Sequence, residues 1–309
     1  MNIVGKRLWF FLLTAVLAVV CIVSLATIGL KTGVDFSSGT LFTISFNQPV
    51  DRDTLRVQLD TMGYQSASIE PAQNGQYFIR THQLNQTDIN SFQSALTAKF
   101  GSLQLSSETV DPTVASEAIK NAAIAVIVAI AAMLLYIAWA FRKMPSPFKY
   151  GVCAIAGLAF DLLIAAGAYS ILGVLLGWQI DLMFISGVLA VLGFSINNTI
   201  IVFDRIRENT GRGVSHDIEV IANVSIVQTL GRSFNSSLTA LFTLFVLSLF
   251  VGSSIENFVI VLIIGVISGV YTSTFLSPEL LVSWQKKAWG SFSGRTSDDN
   301  NLVTAKAKS

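Results

Sequence analysis

The sequence predicts an α-helical membrane protein. Six transmembrane helices are expected, with a small α+β domain of ferredoxin-like type outside the cytoplasm, between helices 1 and 2. Two observations carry this. Hydrophobic residues are 52% of the 309 and charged residues only 13%, with mean hydropathy +0.62, a membrane composition. The long apolar runs are interrupted by one polar stretch, residues 31–117, which alternates between strand and helix periodicities.

Composition also excludes. A net charge of +1 provides no electrostatic footprint for nucleic acid. Cys21 and Cys153 lie in apolar runs and read as small core residues, away from any metal-ligand spacing. His82 and His216 fall in unrelated segments, so no Ser/His/Asp or metal cluster can be assembled from them. No Gly-rich loop with a following Lys-Ser/Thr is present to hold a nucleotide. The expectation is a non-enzyme with neither metal nor cofactor.

In chain order, Lys6 and Arg7 precede Leu8 to Leu30, about 23 mostly apolar residues, long enough to span. This run reads as an uncleaved first helix with its N-terminus in the cytoplasm, so that residues 1–30 form one unit; a cleaved signal is the alternative. Leu41 to Phe46 alternates like a strand and ends before Pro49. Asp51 to Thr54 caps a helix carrying Leu55, Leu59 and Met62. Gln65 to Glu70 and Gln76 to Arg80 are strands joined by the hairpin pair Asn74-Gly75. Asn85 to Phe100 is a helix with Ile89, Phe92, Leu96 and Phe100 on one face, Gly101 stops it, and Leu103 to Val110 is the last strand. Strand, helix, strand, strand, helix, strand is the split βαβ order. The domain reads as a binding unit or, at its plainest, a spacer.

Residues 118–285 hold five more spans: Ala122–Phe141, Gly151–Leu176, Leu182–Phe203, about Ser225–Val251 and Phe258–Val282. Val214 to Asn223 reads as an amphipathic interfacial helix. Arg142, Lys143, Lys149, Arg205, Arg207, Arg212, Lys286 and Lys287 fall in the loops on one side, whereas the turns at Gly177–Asp181 and Gly252–Asn257 contain neither Lys nor Arg. The positive-inside rule then puts both termini in the cytoplasm of a multi-pass protein of the cytoplasmic (inner) membrane. Residues 286–309 are polar and are expected to be a disordered cytoplasmic tail.

Polar residues inside the spans single out candidate sites, because such groups are costly in hydrocarbon and face partners or wet cavities. Ser195, Asn197, Asn198 and Thr199 interrupt the fourth span, just before Phe203, Asp204 and Arg205. The plain reading of that group is interhelical hydrogen bonding. In the fifth span Gln228, Arg232, Asn235, Thr239 and Thr243 recur at three- and four-residue spacings, forming one stripe. Depth counting puts Arg232 level with Asn198, roughly 10 Å from the inner surface; snorkelling of Arg232 to the headgroups is the alternative. In the third span, Gly157, Asp161, Ala165 and Ala168 share a face whose small residues admit a neighbouring helix close to Asp161. Gly265 and Gly269 make a packing face on the sixth.

Taken together, these segments resemble the SecF-type subunits of the SecD–SecF protein-export family, within the resistance-nodulation-division superfamily. Gly33-Val34-Asp35-Phe36-Ser37-Ser38-Gly39-Thr40 is similar to that family's Gly-x-Asp-Phe-x-Gly-Gly-Thr signature, with Ser38 at the first of the paired glycines. Gly193 to Glu208 and Gln228-Thr229-Leu230-Gly231-Arg232 are similar to two further signatures. The resemblance implies a subunit of the Sec protein translocase that assists export of polypeptides using the proton-motive force. Its implied partners are a SecD-like chain, the Sec translocation channel and the exported polypeptide. It also implies an Asp in the fourth span as proton carrier beside the Arg of the fifth. Asn198 stands at that Asp position, and an amide cannot relay a proton. Either this subunit is not the proton site, or the residue has been substituted, or another group serves, with Asp161 and Asp204 the acids left in or beside the spans. The competing readings are a half-transporter for small molecules or lipids and a non-conducting scaffold of the translocase.

Overall fold

The computed structural model describes residues 3–48, 50–65, 67–71, 75–142, 144, 146–176, 178–250 and 253–286. Asn74 of the expected hairpin pair and the tail from Lys287 to Ser309 lie outside the described residues. A short turn at Val4–Lys6 leads into α1 (Arg7–Thr27), followed by α2 (Val34–Ser37), β1 (Gly39–Phe46), α3 (Arg52–Thr61), β2 (Ser68–Pro71), β3 (Gln76–Thr81), α4 (Gln86–Phe100) and β4 (Leu103–Val110). Then come α5 (Pro112–Ala140), α6 (Pro147–Leu176), α7 (Leu182–Gly211), α8 (Ile218–Phe250), α9 (Ser253–Tyr271), a π-helical turn at Thr272–Leu276, and α10 (Ser277–Gln285). Among the described residues, six stretches are long and apolar enough to cross a membrane: α1, α5, α6, α7, α8, and Phe258–Gln285, which joins α9 to α10.

The four strands form one sheet in the order β2-β3-β1-β4, with every neighbouring pair antiparallel. The helices on it start at side-chain caps: Asp51 accepts from the Asp53 N–H and Asn85 from the Asp88 N–H. Leu55 and Leu59 of α3 and Ile89, Phe92 and Leu96 of α4 are buried against Phe42, Ile44, Ile69 and Ile79 of the sheet. The Phe42 and Phe92 rings stack with centroids 4.0 Å apart. Each such side chain removed from water contributes about 1.5–3 kcal/mol, which is how a sheet this small acquires a core of its own.

In the helical part, α7 and α9 meet along glycines. A Cβ on Gly265 would come within 2.0 Å of Val191 Cγ2, and one on Gly269 within 3.1 Å of Ser195 Cβ. The face expected from Gly265 and Gly269 is therefore the contact that brings α9 onto α7. On α1, Cys21 packs against Gly167 of α6, and the Ser24 hydroxyl donates to Ser170 across 2.9 Å. The opposite side of α1, with Leu12, Val16, Val19 and Val23, is exposed, as a lipid-facing surface would be.

Two features differ from expectation. The separate interfacial helix over Val214–Asn223 is absent: α8 starts at Ile218 and continues unbroken into the apolar span. The reason is packing, because Ile221, Ala222 and Ile226 join the same buried cluster as Phe203 and Ile206 of α7. The sixth span is also not a uniform helix. The Ser277 N–H bonds the Thr272 carbonyl, five residues back, and Pro278, next in the chain, has no N–H to continue the regular ladder.

Candidate functional site

Asp161 is fully buried in the middle of α6 and is surrounded by hydroxyls. Ser195 of α7 donates to Oδ2 across 2.5 Å, and Ser268 of α9 donates to Oδ1 across 2.5 Å. Thr272, the first residue of the π turn, reaches Oδ1 and Oδ2 at 3.0 and 2.9 Å. Small residues make this convergence possible. Gly269 lets α9 lie against Ser195, and a Cβ on Gly157 would stand 2.3 Å from the Ser277 Oγ. A buried carboxyl normally needs charge pairing. Here three neutral hydroxyls from two further spans serve instead, so a small cation such as a proton can join or leave without an ion pair being broken.

Asn198 is buried one turn beyond Ser195, and its amide nitrogen has no partner among the described residues. Arg232 is not its neighbour. The Arg205 Nε donates to Gln228 Oε1 across 2.7 Å, which sets the register of α7 against α8. Seven residues inward from that bond, Asn198 is level with Asn235. Arg232 then sits roughly 5 Å nearer the charged end, about one turn. It also lies on the exposed side of α8, with Gln228, Asn235, Thr239 and Thr243. The expected stripe therefore faces outward. The inward face of α8 is Ser225, Thr229, Ser233 and Ser237, spaced by four, which the sequence reading passed over. These hydroxyls can bond back to their own helix, as Thr229 and Ser237 do, and so tolerate close packing that a guanidinium with no buried acid could not.

The other candidates divide between surface and core. Asn197 is exposed, and Asp204 is exposed and paired with Arg207 across 2.6 Å at the end of α7. Phe203 is buried edge-on to the Phe141 and Tyr150 rings. Arg205 bridges Gln228 and Glu208.

The segment from Gly33 to Thr40 joins the sheet to the helices. The Gly33 N–H donates to the Ile180 carbonyl across 2.7 Å, and the Ile180 N–H returns a bond to Lys31 across 2.8 Å. Asp35 accepts from the Leu182 N–H across 2.9 Å, so it caps the first turn of α7 together with Asp181. Phe36 is half-buried beside them. Ser38 has φ 53° and ψ 163°, a region that favours glycine. Gly39, at φ 109°, leaves only 2.4 Å from a would-be Cβ to the Thr81 carbonyl oxygen. Thr40 accepts from the Leu84 N–H across 3.0 Å. Arg80 adds donors to the Thr32 carbonyl and Gln179 Oε1, at 2.8 and 2.6 Å. The sheet is thus tied to the start of the helix that carries Ser195 and Asn198.

At the opposite end of the bundle, Lys286 donates to Asp217 and Glu219 at 2.9 and 2.8 Å. The Ile3 and Val4 N–H groups bond the Asn223 Oδ1 at 2.7 and 3.3 Å. Burial pushes the Asp217 carboxyl up, but the Lys286 ammonium and the Glu219 N–H outweigh it and hold Asp217 below its ordinary value. Burial likewise pulls Lys286 down, and its two carboxylate partners raise it above the usual lysine range.

The sequence matches the family of protein export membrane proteins SecD/SecF, C-terminal part, over residues 92–287, and the SecD/SecF GG motif over residues 23–50. A protein translocase subunit SecF of Thermobaculum terrenum is 38% identical over 299 residues, covering 93% of this chain and 94% of that one. The corresponding subunit of Anaerolinea thermophila is 34% identical over 295 residues, covering 94% of this chain and 96% of that one. The crystal structure of SecDF, a translocon-associated membrane protein from Thermus thermophilus, superposes with TM-score 0.82 at 29% identity, covering 93% of this chain but only 39% of the other. A structure of SecDF in a super-membrane-facing form matches with TM-score 0.64 at 25% identity, covering 100% and 40% of the two chains. With a family match over more than half its length, the chain belongs to the SecD/SecF family of protein export membrane proteins.

Proposed function

We propose that this chain is the SecF-type subunit of a Sec protein translocase, acting with a SecD-like partner to help polypeptides cross the cytoplasmic membrane at the expense of the proton-motive force. The observation that carries it is an unfinished polar surface in the apolar zone. Asn197 of α7 and Arg232 and Asn235 of α8 are exposed there, where lipid cannot satisfy them. The chain spans well under half of the SecDF chains it superposes on, which supports a partner that covers this face. With Arg7, Arg205, Arg207, Arg212 and Lys286 toward one end, the positive-inside rule supports a cytoplasmic position for that end and an outer one for the sheet. The sheet order supports a ferredoxin-like domain over residues 31–117, offered to the emerging polypeptide and the channel. Within this subunit, Asp161 is the group that takes up and releases the proton, because the amide of Asn198 cannot.

A second reading is favoured by Asn198 itself: a scaffold subunit, with coupling left wholly to the partner. The test uses inverted membrane vesicles that hold the whole complex and a secreted polypeptide. Purification from native membranes is expected to recover a SecD-like chain in near-equal amounts. Asp161→Asn is expected to remove force-dependent stimulation of export, and Asn198→Asp to leave it in place. If Asp161→Asn exports normally while removal of the partner's acid abolishes stimulation, the scaffold reading holds. If Asn198→Asp raises stimulation from nothing, the fourth-span position is the required relay.

A further inference from the structure

Glu279 in the first turn of α10 is fully buried, and neither carboxyl oxygen has a hydrogen-bond partner among the described residues. On the same helix, the Ser277 and Ser283 hydroxyls are also buried without partners among the described residues. The charge that faces Glu279 is Arg7, at the start of α1, and the phenol of Tyr271 in α9 is near enough to feel it. Arg7 is itself buried, with Nη1 making no hydrogen bond among the described residues and standing 3.6 Å from Glu219 of α8. Lys286, at the end of α10, is held by Asp217 and Glu219. A carboxylate ion with no donor is among the most costly groups to bury. The geometry therefore fits the neutral acid, with Arg7 drawn to Glu219 instead.

Ser277 stands two residues before Glu279 in α10. Thr272 touches the Asp161 carboxyl, and Ser277 and Thr272 both lie against Gly157, one helical turn from Asp161. Ser273 and Thr274 of the same π turn are buried as well. Such turns recur at functional sites because they leave the helix ladder slack.

We infer that Glu279 is a second proton-binding carboxyl of this subunit, standing between Asp161 and the Arg7–Lys286 end, with Arg7 the cation that moves onto it when its proton leaves. The inference rests on the reading of Asp161 as a proton carrier. The step balances: the Glu279 carboxyl O–H bond breaks, the proton passes along the Ser277 and Thr272 hydroxyls and intervening water, and an O–H bond forms on the Asp161 carboxylate. Glu279 becomes the anion, and Arg7 shifts from Glu219 to pair with it. A proton taken from the aqueous face then restores Glu279 and returns Arg7 to Glu219.

The test uses the complex with its SecD-like partner in proteoliposomes, with proton uptake followed by an enclosed pH-sensitive dye and carboxyl protonation by difference infrared spectroscopy. Glu279→Gln is expected to slow uptake on the order of a hundredfold, the low end for a positioned proton-transfer group. It should also remove a protonated-carboxyl band that Asp161→Asn retains. Arg7→Gln, a second variant should Glu279→Gln not fold, is expected to slow uptake and keep the band. Wild-type uptake in Glu279→Gln with the band unchanged overturns the inference, and wild-type uptake in Arg7→Gln overturns the role of Arg7. If Glu279→Gln blocks uptake while Asp161→Asn does not, the Asp161 reading fails and Glu279 stands.

Discussion

The Ser195 hydroxyl donates to the Asp161 carboxyl across 2.5 Å, so α7 and α6 are joined by a polar bond inside the buried part of the bundle. Removing that hydroxyl leaves a buried acid with fewer donors. Ser195→Ala is expected to cost about 1.5–3 kcal/mol, the range for a hydrogen bond to a charged group. Ser195→Ala combined with Ser268→Ala should depart from additivity, since both serve one carboxyl. Reversible denaturation in mixed micelles measures both.

Gly265 controls whether Ser268 and Thr272 reach Asp161 at all. Its would-be Cβ lies 2.0 Å from Val191, so Gly265→Leu must push α9 away from α7. The expected loss is at least about 1–3 kcal/mol, typical of overpacking. A cross-link between cysteines placed at Ser195 and Ser268 should then form more slowly than in the parent.

Ser38 and Gly39 make opposite predictions. Ser38, at φ 53°, holds a conformation that suits glycine, so Ser38→Gly should stabilise by roughly 1–3 kcal/mol if the strain is fully relieved. Gly39→Ala should destabilise, because its Cβ would stand 2.4 Å from the Thr81 carbonyl oxygen. Thermal unfolding of the purified chain distinguishes the two signs.

The Lys286 cluster should tie α10 to α8 over a wide pH window. Asp217 is held below its ordinary 3.8, so its contribution is complete above that value and is lost as pH falls through the lower folded value. Lys286 is raised above 10.5, so its contribution is complete below 10.5 and is lost as pH rises through the higher folded value. Between those limits Lys286→Met should cost about 1 kcal/mol, as expected of a partly exposed pair. Amide exchange at Ile218–Asn223 should rise in Lys286→Met and in the parent only at the extremes.

The sheet has its own core, closed by Phe42, Phe92, Leu55 and Leu59. Residues 31–117 expressed alone are expected to yield dispersed amide NMR signals. A spectrum of narrow, overlapped signals would show that the sheet needs the helices to fold.

Several properties of this protein are legible in its sequence. Apolar runs of spanning length determine the six helices, since the bilayer sets that length and the backbone must bond within itself there. Side-chain caps at Asp51 and Asn85, and alternation in Leu41–Phe46, are local signals, and local signals survive in sequence. Gly265 and Gly269 announced a close packing face for the same reason. What the helices turn toward one another was decided only in three dimensions. The sequence offers α8 two polar stripes, Gln228-Arg232-Asn235 and Ser225-Thr229-Ser233, and periodicity alone cannot say which faces inward. Packing chose the hydroxyls, because a small side chain that bonds its own backbone fits against α7 and a guanidinium does not. The partners of Asp161 come from residues 34, 107 and 111 positions away, and no local pattern records that they meet. Glu279 looks like an ordinary first-turn acid until α10 packs against α6 and α8 and leaves its buried carboxyl without a donor among the described residues.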